Sequence, residues 1–510
     1  MNLNLLTYQW IPVLRRNGMT SYIAPCELTD QLTSNPIIAF NSPRPDFNGA
    51  LAQFLIGLLQ TALPNLKAAK WRQWDISQSD AQLPTPSELK RLFSPLEPNF
   101  NLFGDGQRFM QDLELTGGES KPIAALLIEQ PGQQTLEKNA DHFIKRGQID
   151  QLCPACVATA LFTLQINAPS GGAGHRTSMR GGGPLTTLVI SRNQENPSCL
   201  WEMLWLNVLT QTEFEIYTQL KLHDVENKNI FPWSEKTPTS ENDKQVTNLD
   251  VHPFQMYWGM PRRIHLLLVE EDCQKPCSIC GRMSKQVVAE YVTKNYGIKY
   301  SEHWRHVFSP YRVDKTNQFF PMHPQPGGIG YRHWLELTLE HPAAVVRANE
   351  ERLQDEEYSS ADREIKIYAF GYDMDNMKAR CWYESYMPFY NISKGRVADV
   401  KSLVKQFVDV TNMAKLSLNI ALKVCDNSIV AAGQQIWHKT EGKFYKLLKQ
   451  VSSIIDSFND AEIDKIKEDW LRHIQQQTLT IFEELADVQH AELRVMKKYV
   501  LRWGKEEEKW

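Results

Sequence analysis

No apolar run in this sequence approaches the ~20 residues that a membrane-spanning helix needs. Met1 to Val13 also lack a basic stretch followed by an apolar core and a small-residue cleavage site. A cytoplasmic protein with no membrane partner is the expectation. An excess of one charge is missing too: 56 Lys plus Arg stand against 60 Asp plus Glu, a net charge of -4. That excludes a coat of bulk positive charge over nucleic acid, so any such contact must be a local patch. Cysteine is sparse and odd in number, nine in 510 residues. Catalytic signatures are absent: no His-Glu-x-x-His, no Gly-x-Ser-x-Gly, and no His-x-Glu ahead of a Pro-Cys-x-x-Cys. His175 and the pair His303 and His306 remain as acid or base candidates, but a lone His is more often structural or exposed. The expectation is a protein that is not an enzyme. There is no internal repeat and no low-complexity segment.

A chain of 510 residues has room for two to four domains, each able to bury its own core. Phe47, Leu51, Phe54, Leu55, Leu58 and Leu59 recur at helical spacing after Pro43-Arg44-Pro45, which predicts a helix over Asp46 to Gln60. Leu188 to Ser191, Ile264 to Val269 and the alternating Leu335 to Leu339 read as strands. Asp224 to Asp250 is polar and aperiodic and reads as a long surface excursion without chemistry. Beyond about Tyr390 four amphipathic stripes follow, through Val400 to Leu418, Phe444 to Phe458, Ile463 to Leu485, and Leu493, Met496, Val500 and Trp503. The fold class is therefore α+β. An irregular mixed body over residues 1–383 carries a structural zinc site, and a C-terminal four-helix bundle spans 384–510.

The strongest local signal is Cys153-Pro154-Ala155-Cys156 together with Cys277-Ser278-Ile279-Cys280-Gly281. Two residues between thiols let both sulfurs of a pair reach one tetrahedral ion, and two such knuckles complete a four-thiolate zinc site with no open position. Two unrelated buried pairs are the alternative. Cys273 competes as a ligand at a less usual spacing, while Cys26, Cys199, Cys381 and Cys425 read as small core residues. The second signal is Ala168 to Gly183, with six glycines in the 13 residues from Gly171. Its backbone can approach a polyanion closely while Arg176 and Arg180 reach phosphates; the alternative is a flexible loop with no ligand. It is neither a Walker A loop nor a dinucleotide-binding turn. The third is Lys285 to Arg312, where five basic residues outnumber two acidic ones and Tyr291, Tyr296, Tyr300, Trp304 and Tyr311 are interleaved. Such a pattern suits phosphates and base stacking, and equally a solvated strand with buried aromatics. The knuckles adjoin both segments, so one zinc ion would bring the glycine loop and the basic stretch together.

Taken in order, these segments resemble the large subunit, the CasA family, of the type I-E CRISPR Cascade surveillance complex. The matching pieces are Asn4-Leu5-Leu6 leading to Trp10-Ile11-Pro12-Val13, Gln130-Pro131-Gly132-Gln133, the first knuckle, Ala168-Pro169 with the glycine loop and Arg180-Gly181-Gly182, the second knuckle, Gly371 to Asn376, and the terminal helices. The resemblance implies a non-enzymatic DNA reader. It would recognise a short protospacer-adjacent motif from the minor groove of double-stranded DNA, open the duplex for the guide, and help recruit a helicase-nuclease. The implied partners are the other Cascade subunits, CRISPR RNA, target duplex and displaced strand. The family's glycine loop falls on Ser170, Gly171, Gly172 and Ala173. Its lysine finger falls on Asn295 by ungapped counting, or on the adjacent Lys294, whose longer side chain is preferred. Its strand-separating wedge falls on Asp375, Asn376 and Met377, and its loop toward the RNA handle and neighbouring subunit on Leu127, Ile128 and Glu129. Readings from other classes are a zinc-containing nuclease or nucleotidyl enzyme, which needs an open metal position, and a purely structural assembly subunit.

Overall fold

The computed structural model describes residues 3–130, 147–191, 199–222, 228–301, 304–355, 364–375, 377–423, 429–455 and 460–485. The chain divides into two compact units, Met1–Gly328 with His341–Tyr386, and Ile329–Glu340 with Met387–Trp510. Among the described residues the first mixes helix and sheet and the second is mainly helical, so the class is α+β. Among the described residues no helix is long and apolar enough to cross a membrane.

In the first unit, β1 (Ile11–Arg15) lies between β2 (Thr20–Ile23) and β3 (Ile37–Phe40), antiparallel to both. Alternate residues of β1 are buried, as the period of two requires. The chain then enters α1 (Pro45–Ala62) with proline at the first helical position, where a missing N–H costs nothing, and Asp46 in the first turn. The predicted stripe faces inward. Phe54 sits edge-on to Trp10, Phe100, Phe109, Phe162 and Trp258 at 5.2 to 6.0 Å between ring centroids. Beyond β4 (Glu119–Pro122) comes α2 (Pro154–Asn167), which is buried on every face. β5 (Thr186–Ser191) precedes a long antiparallel hairpin of β6 (Arg263–Pro276) and β7 (Met283–Lys294), with β4 on the outer side of β7. A second hairpin, β8 (Ile365–Asp375) and β9 (Lys378–Pro388), joins β5 through β8.

In the second unit α3 (Val397–Lys423), α4 (Ile429–Ile454) and α5 (Asp460–Leu485) pack against one another along the first three predicted stripes. Leu493, Met496, Val500 and Trp503, the fourth stripe, lie outside the described residues.

Four local expectations are corrected. Leu335 to Leu339 is not a strand, because Glu336–Glu340 forms a single π-helical turn with Leu337, Thr338 and Leu339 buried. Its alternation is incidental, since both faces are covered. The excursion from Asp224 is not a solvated loop: beyond residues 223–227, which are outside the described set, Phe231 and Trp233 enter the aromatic core and Ser240 is fully buried. Cys381 is exposed on β9 and is not core. Of the five interleaved aromatics, Tyr291, Trp304 and Tyr311 are buried, and the Tyr300 hydroxyl accepts the Met260 N–H at 2.9 Å. Only Tyr296 reaches the surface substantially.

Two buried histidines carry a pH prediction. The Nδ1 atoms of His252 and His306 accept the N–H groups of Phe254 and Phe308, which requires the neutral ring. Burial holds His252 down to about 4 and His306 well below its ordinary value. The unfolded chain therefore binds more protons between pH 6.5 and 4, and stability falls as the pH drops through that window. The His252 share is about 3 kcal/mol at full extent. Urea unfolding at pH 7 and pH 5 checks this, and equal midpoints would contradict it.

Candidate nucleic-acid interface and metal centre

Cys153 caps the N-terminus of α2 and Cys156 lies in its first turn, so the helix itself sets the spacing of one sulfur pair. The other pair sits on the turn between β6 and β7. There the Cys277 carbonyl accepts the Gly281 N–H at 2.9 Å, and Gly281 adopts φ +70°, a conformation glycine takes without strain. The segments are tied independently of the sulfurs: Ser278 Oγ accepts the N–H groups of Asp150 and Gln151, and the Ser278 N–H donates to the Gln151 carbonyl. All four sulfurs lie within 4.8 Å of one another, and Cys153 Sγ is 3.7 Å from Cys280 Sγ. A tetrahedral zinc site with bonds of about 2.3 Å has sulfur–sulfur edges of about 3.8 Å. The donor set and its spacing fit such an ion. A hydrogen bond from Cys153 holds the Cys277 thiol down to about 6 and also depresses Cys280, while Cys153 raises Cys156. Four adjacent thiols share their protons unequally, and a divalent cation relieves that crowding by taking all four as thiolates. Cys273 is exposed and outside this cluster.

The metal centre does not itself join the glycine loop to the basic stretch. Its cysteines sit on the β6–β7 turn and beside Leu152, which pairs with Val288 midway along β7, and the finger position ends β7 at Lys294, about 20 Å farther along the strand. At that far end the loop after α2 meets the segment after β7. Asn295 Nδ2 donates to the Ala173 carbonyl at 2.8 Å, and the Tyr296 N–H to the Gly174 carbonyl at 2.9 Å. Tyr296 has φ +62° and its carbonyl accepts the Ser240 N–H, so a left-handed tyrosine is held from both sides. The sulfur cluster thus joins the start of α2 to the hairpin, and the segments that follow α2 and β7 form the loop contact.

Ser170, Gly171, Gly172 and Ala173 are exposed. The base of their loop is fixed: Arg262 donates to the Pro169 carbonyl at 2.5 Å, the Ser178 N–H to the Ala168 carbonyl, and the Gly183 N–H to the Asn167 carbonyl. Lys294 is exposed, and its ammonium has no partner among the described residues. Asn295, which spends its amide on Ala173, anchors the loop.

The two phosphate candidates fare differently from expectation. Arg180 is buried, donates to Thr186 Oγ1 and Gln53 Oε1, and is pushed down to about 9 by burial. It is a core residue and faces no surface. Arg176 is partly exposed, yet its guanidinium is held by Ser240, lies 3.8 Å from Asp243 and covers the Tyr296 ring. Ser240 and Asp243 come from the segment that looked featureless, and no local pattern marks them. Leu127 and Ile128 are also buried, so they seat their loop and do not face a partner. Glu129 forms a bidentate pair with Arg44, and residues 131–146 beyond it are outside the described set.

At the wedge position Asp375 and Met377 are exposed at the β8–β9 tip, Met377 by 54%, and Asn376 lies outside the described residues. The acid there is explained: Arg380 binds Asp373 at 2.6 Å and reaches Asp375 at 3.6 Å, so the tip is not a bare negative charge. This hairpin rests on the far end of the glycine segment. A Cβ on Gly183 would lie 2.5 Å from Met374 Cγ, and one on Gly371 would lie 2.6 Å from the Pro184 carbonyl. The first glycines of the segment are exposed, and the last permit backbone contact.

A sequence profile of the family CRISPR-associated protein Cse1 matches residues 4–481. Solved structures share the fold. The CasA (Cse1) structure from Thermus thermophilus superposes with a TM-score of 0.70 at 17% identity, covering 99% of this chain and 98% of that one. Cse1 from Acidimicrobium ferrooxidans gives 0.66 at 15% identity, covering 98% and 96%. A chain of a CRISPR RNA-guided surveillance complex gives 0.62 at 14% identity, covering 98% of both.

Proposed function

Since the chain belongs to the Cse1 family, the large subunit of the type I-E Cascade complex, we propose that it is the non-catalytic reader of the protospacer-adjacent motif in that complex. The observation that carries this reading is the exposed loop Ser170 to Ala173, locked onto Asn295 and Tyr296 with Lys294 beside it. Small side chains let main-chain groups enter a minor groove, and a lysine reaches its acceptors. Minor-groove patterns are degenerate, so several motif sequences are tolerated. The protein reads the short motif, and guide pairing reads the rest.

Strand separation follows at the β8–β9 tip. Inserting Met377 with Asn376 beside the first target base pair costs a few kcal/mol of unstacking, offset by guide pairing. Partners are the CRISPR RNA, the target duplex, the displaced strand, the other Cascade subunits in the cytoplasm and a helicase-nuclease recruited in trans. For the small subunits, the outward face of α3 offers Met413, Leu416 and Ile420, exposed by 40%, 60% and 57%. The four thiolates hold a structural zinc ion and fill its tetrahedral positions. A hydrolytic metal needs an open position, so the nuclease reading gains no support from this site.

The test is guide-dependent binding to duplexes differing only in the motif, with the remaining subunits and CRISPR RNA, with and without this chain. Discrimination that requires the chain is expected and should weaken about tenfold in Lys294→Ala. A chain that joins the complex without changing discrimination is an assembly subunit. Asn376→Ala with Met377→Ala should impair strand opening far more than initial duplex binding, and equal losses in both would remove the wedge assignment.

A further inference from the structure

Neither the motif-reading loop nor the metal site uses the polar cluster where α1 begins. Arg44 grips two carboxylates at once. Its Nε and one terminal nitrogen donate to Asp46 at 3.1 and 2.8 Å, and its two terminal nitrogens donate to Glu129 at 2.5 and 2.8 Å. The Tyr372 hydroxyl donates to Asp46 Oδ2. Asp46 and Tyr372 are each at most 3% exposed. The Arg44 guanidinium also lies 5.1 Å from the Phe47 ring centre, and the Tyr372 ring packs edge-on against Trp382 of β9 at 4.8 Å.

The charges make this one unit. Two carboxylates share a single guanidinium, and the Tyr372 proton supplies the hydrogen bond that the second negative charge needs in a buried place. Against its burial, the hydrogen bonds Arg44 donates to Glu129 and Asp46 raise it, and burial beside Asp46 raises Tyr372, so both keep their protons. Removing one member leaves another buried group unsatisfied. The members come from three segments: the start of α1, the residue that closes the buried Leu127-Ile128 seat, and β8 three residues before Asp375.

We infer that Arg44, Asp46 and Tyr372 are positioning residues for the strand-separating hairpin, tying it to the Leu127–Glu129 segment so that the seating of that segment sets how firmly the tip is held. The inference rests on the strand-opening role proposed above.

Two near-isosteric variants test it, Glu129→Gln and Tyr372→Phe. In the full-length chain alone, Glu129→Gln is expected to speed amide exchange about tenfold over Tyr372 to Asp375, a stretch that Glu129 does not touch. Unchanged exchange there overturns the link. In the complex assembled with guide RNA, each variant should slow opening beside the motif about tenfold, with initial duplex binding within about twofold. The double variant should be no slower than the slower single, because the network fails as a unit. A merely structural role lowers the melting temperature of both variants but leaves opening at wild-type rates below that temperature; that result, or multiplying effects in the double variant, overturns the inference while leaving the motif-reading role intact. A wild-type complex that binds duplex but never opens it overturns the strand-separating role, and the inference falls with it.

Discussion

Cys153→Ser is expected to lose stoichiometric zinc and to lower the melting temperature of the mixed α/β unit by on the order of 10 °C. Cys153 is 2% exposed and lies 3.7 Å from Cys280, so serine there leaves a three-thiolate site with a poor fourth donor and no room to rearrange. Structural zinc sites contribute about 10 kcal/mol or more of apparent binding energy, and an ion held by these four sulfurs would clamp α2 to a hairpin more than 120 residues later. The decisive comparison is between this variant and wild type treated with a strong chelator. Both should melt at the same lowered temperature, and chelator should not lower the variant further. Full zinc content in Cys153→Ser, or a wild-type melt indifferent to chelation, would contradict the four-thiolate site. Because a bound metal would act on the loop contact only through α2 and β7, motif discrimination should decline in step with stability.

The second large effect belongs to the helical unit. Tyr331→Ala should cost it about 3 to 5 kcal/mol. Tyr331 is 1% exposed, stacks on Phe444 at 4.4 Å, and meets Trp437 and Trp470 at 5.0 and 6.0 Å. Its hydroxyl pairs with Thr411 Oγ1 on α3 and Thr440 Oγ1 on α4, at 3.0 and 2.8 Å. One side chain from Ile329–Glu340 thus fills the space among all three described helices. Alanine there leaves a cavity the helices cannot close without moving Trp470, whose indole donates to the Phe407 carbonyl at 3.1 Å. Tyr331→Phe keeps the ring and should cost only about 1 kcal/mol. Denaturant unfolding followed by tryptophan fluorescence separates the two, and a loss below about 1 kcal/mol for alanine would refute the plug.

How far the sequence reaches can be judged from these same residues. The α1 stripe, the first three C-terminal stripes and the two Cys-x-x-Cys pairs are short-range patterns, and each appears as an element or a sulfur pair in the structure. The ordered set of motifs led to the family that the profile then identified over residues 4–481. Arg180 and Arg176 look alike in sequence, yet one is sealed in the core on Gln53 and Thr186 and the other is held at Ser240. Asn295 and Lys294 are neighbours, and only the approach of Ala173 separates anchor from free amine.

By itself, then, the sequence determined α1, the three described C-terminal helices, the Ile264–Val269 part of β6, the clustered cysteines and the family, because hydrophobic period and cysteine spacing act over a few residues. Only the tertiary structure decided which polar groups are spent internally. Glu129 meets Arg44 85 positions away, Tyr372 meets Asp46 326 positions away, and Tyr331 meets Thr440 109 positions away. Whether a charged or aromatic side chain faces a ligand or satisfies a buried partner is set by the partner's arrival, and that arrival depends on how distant segments pack.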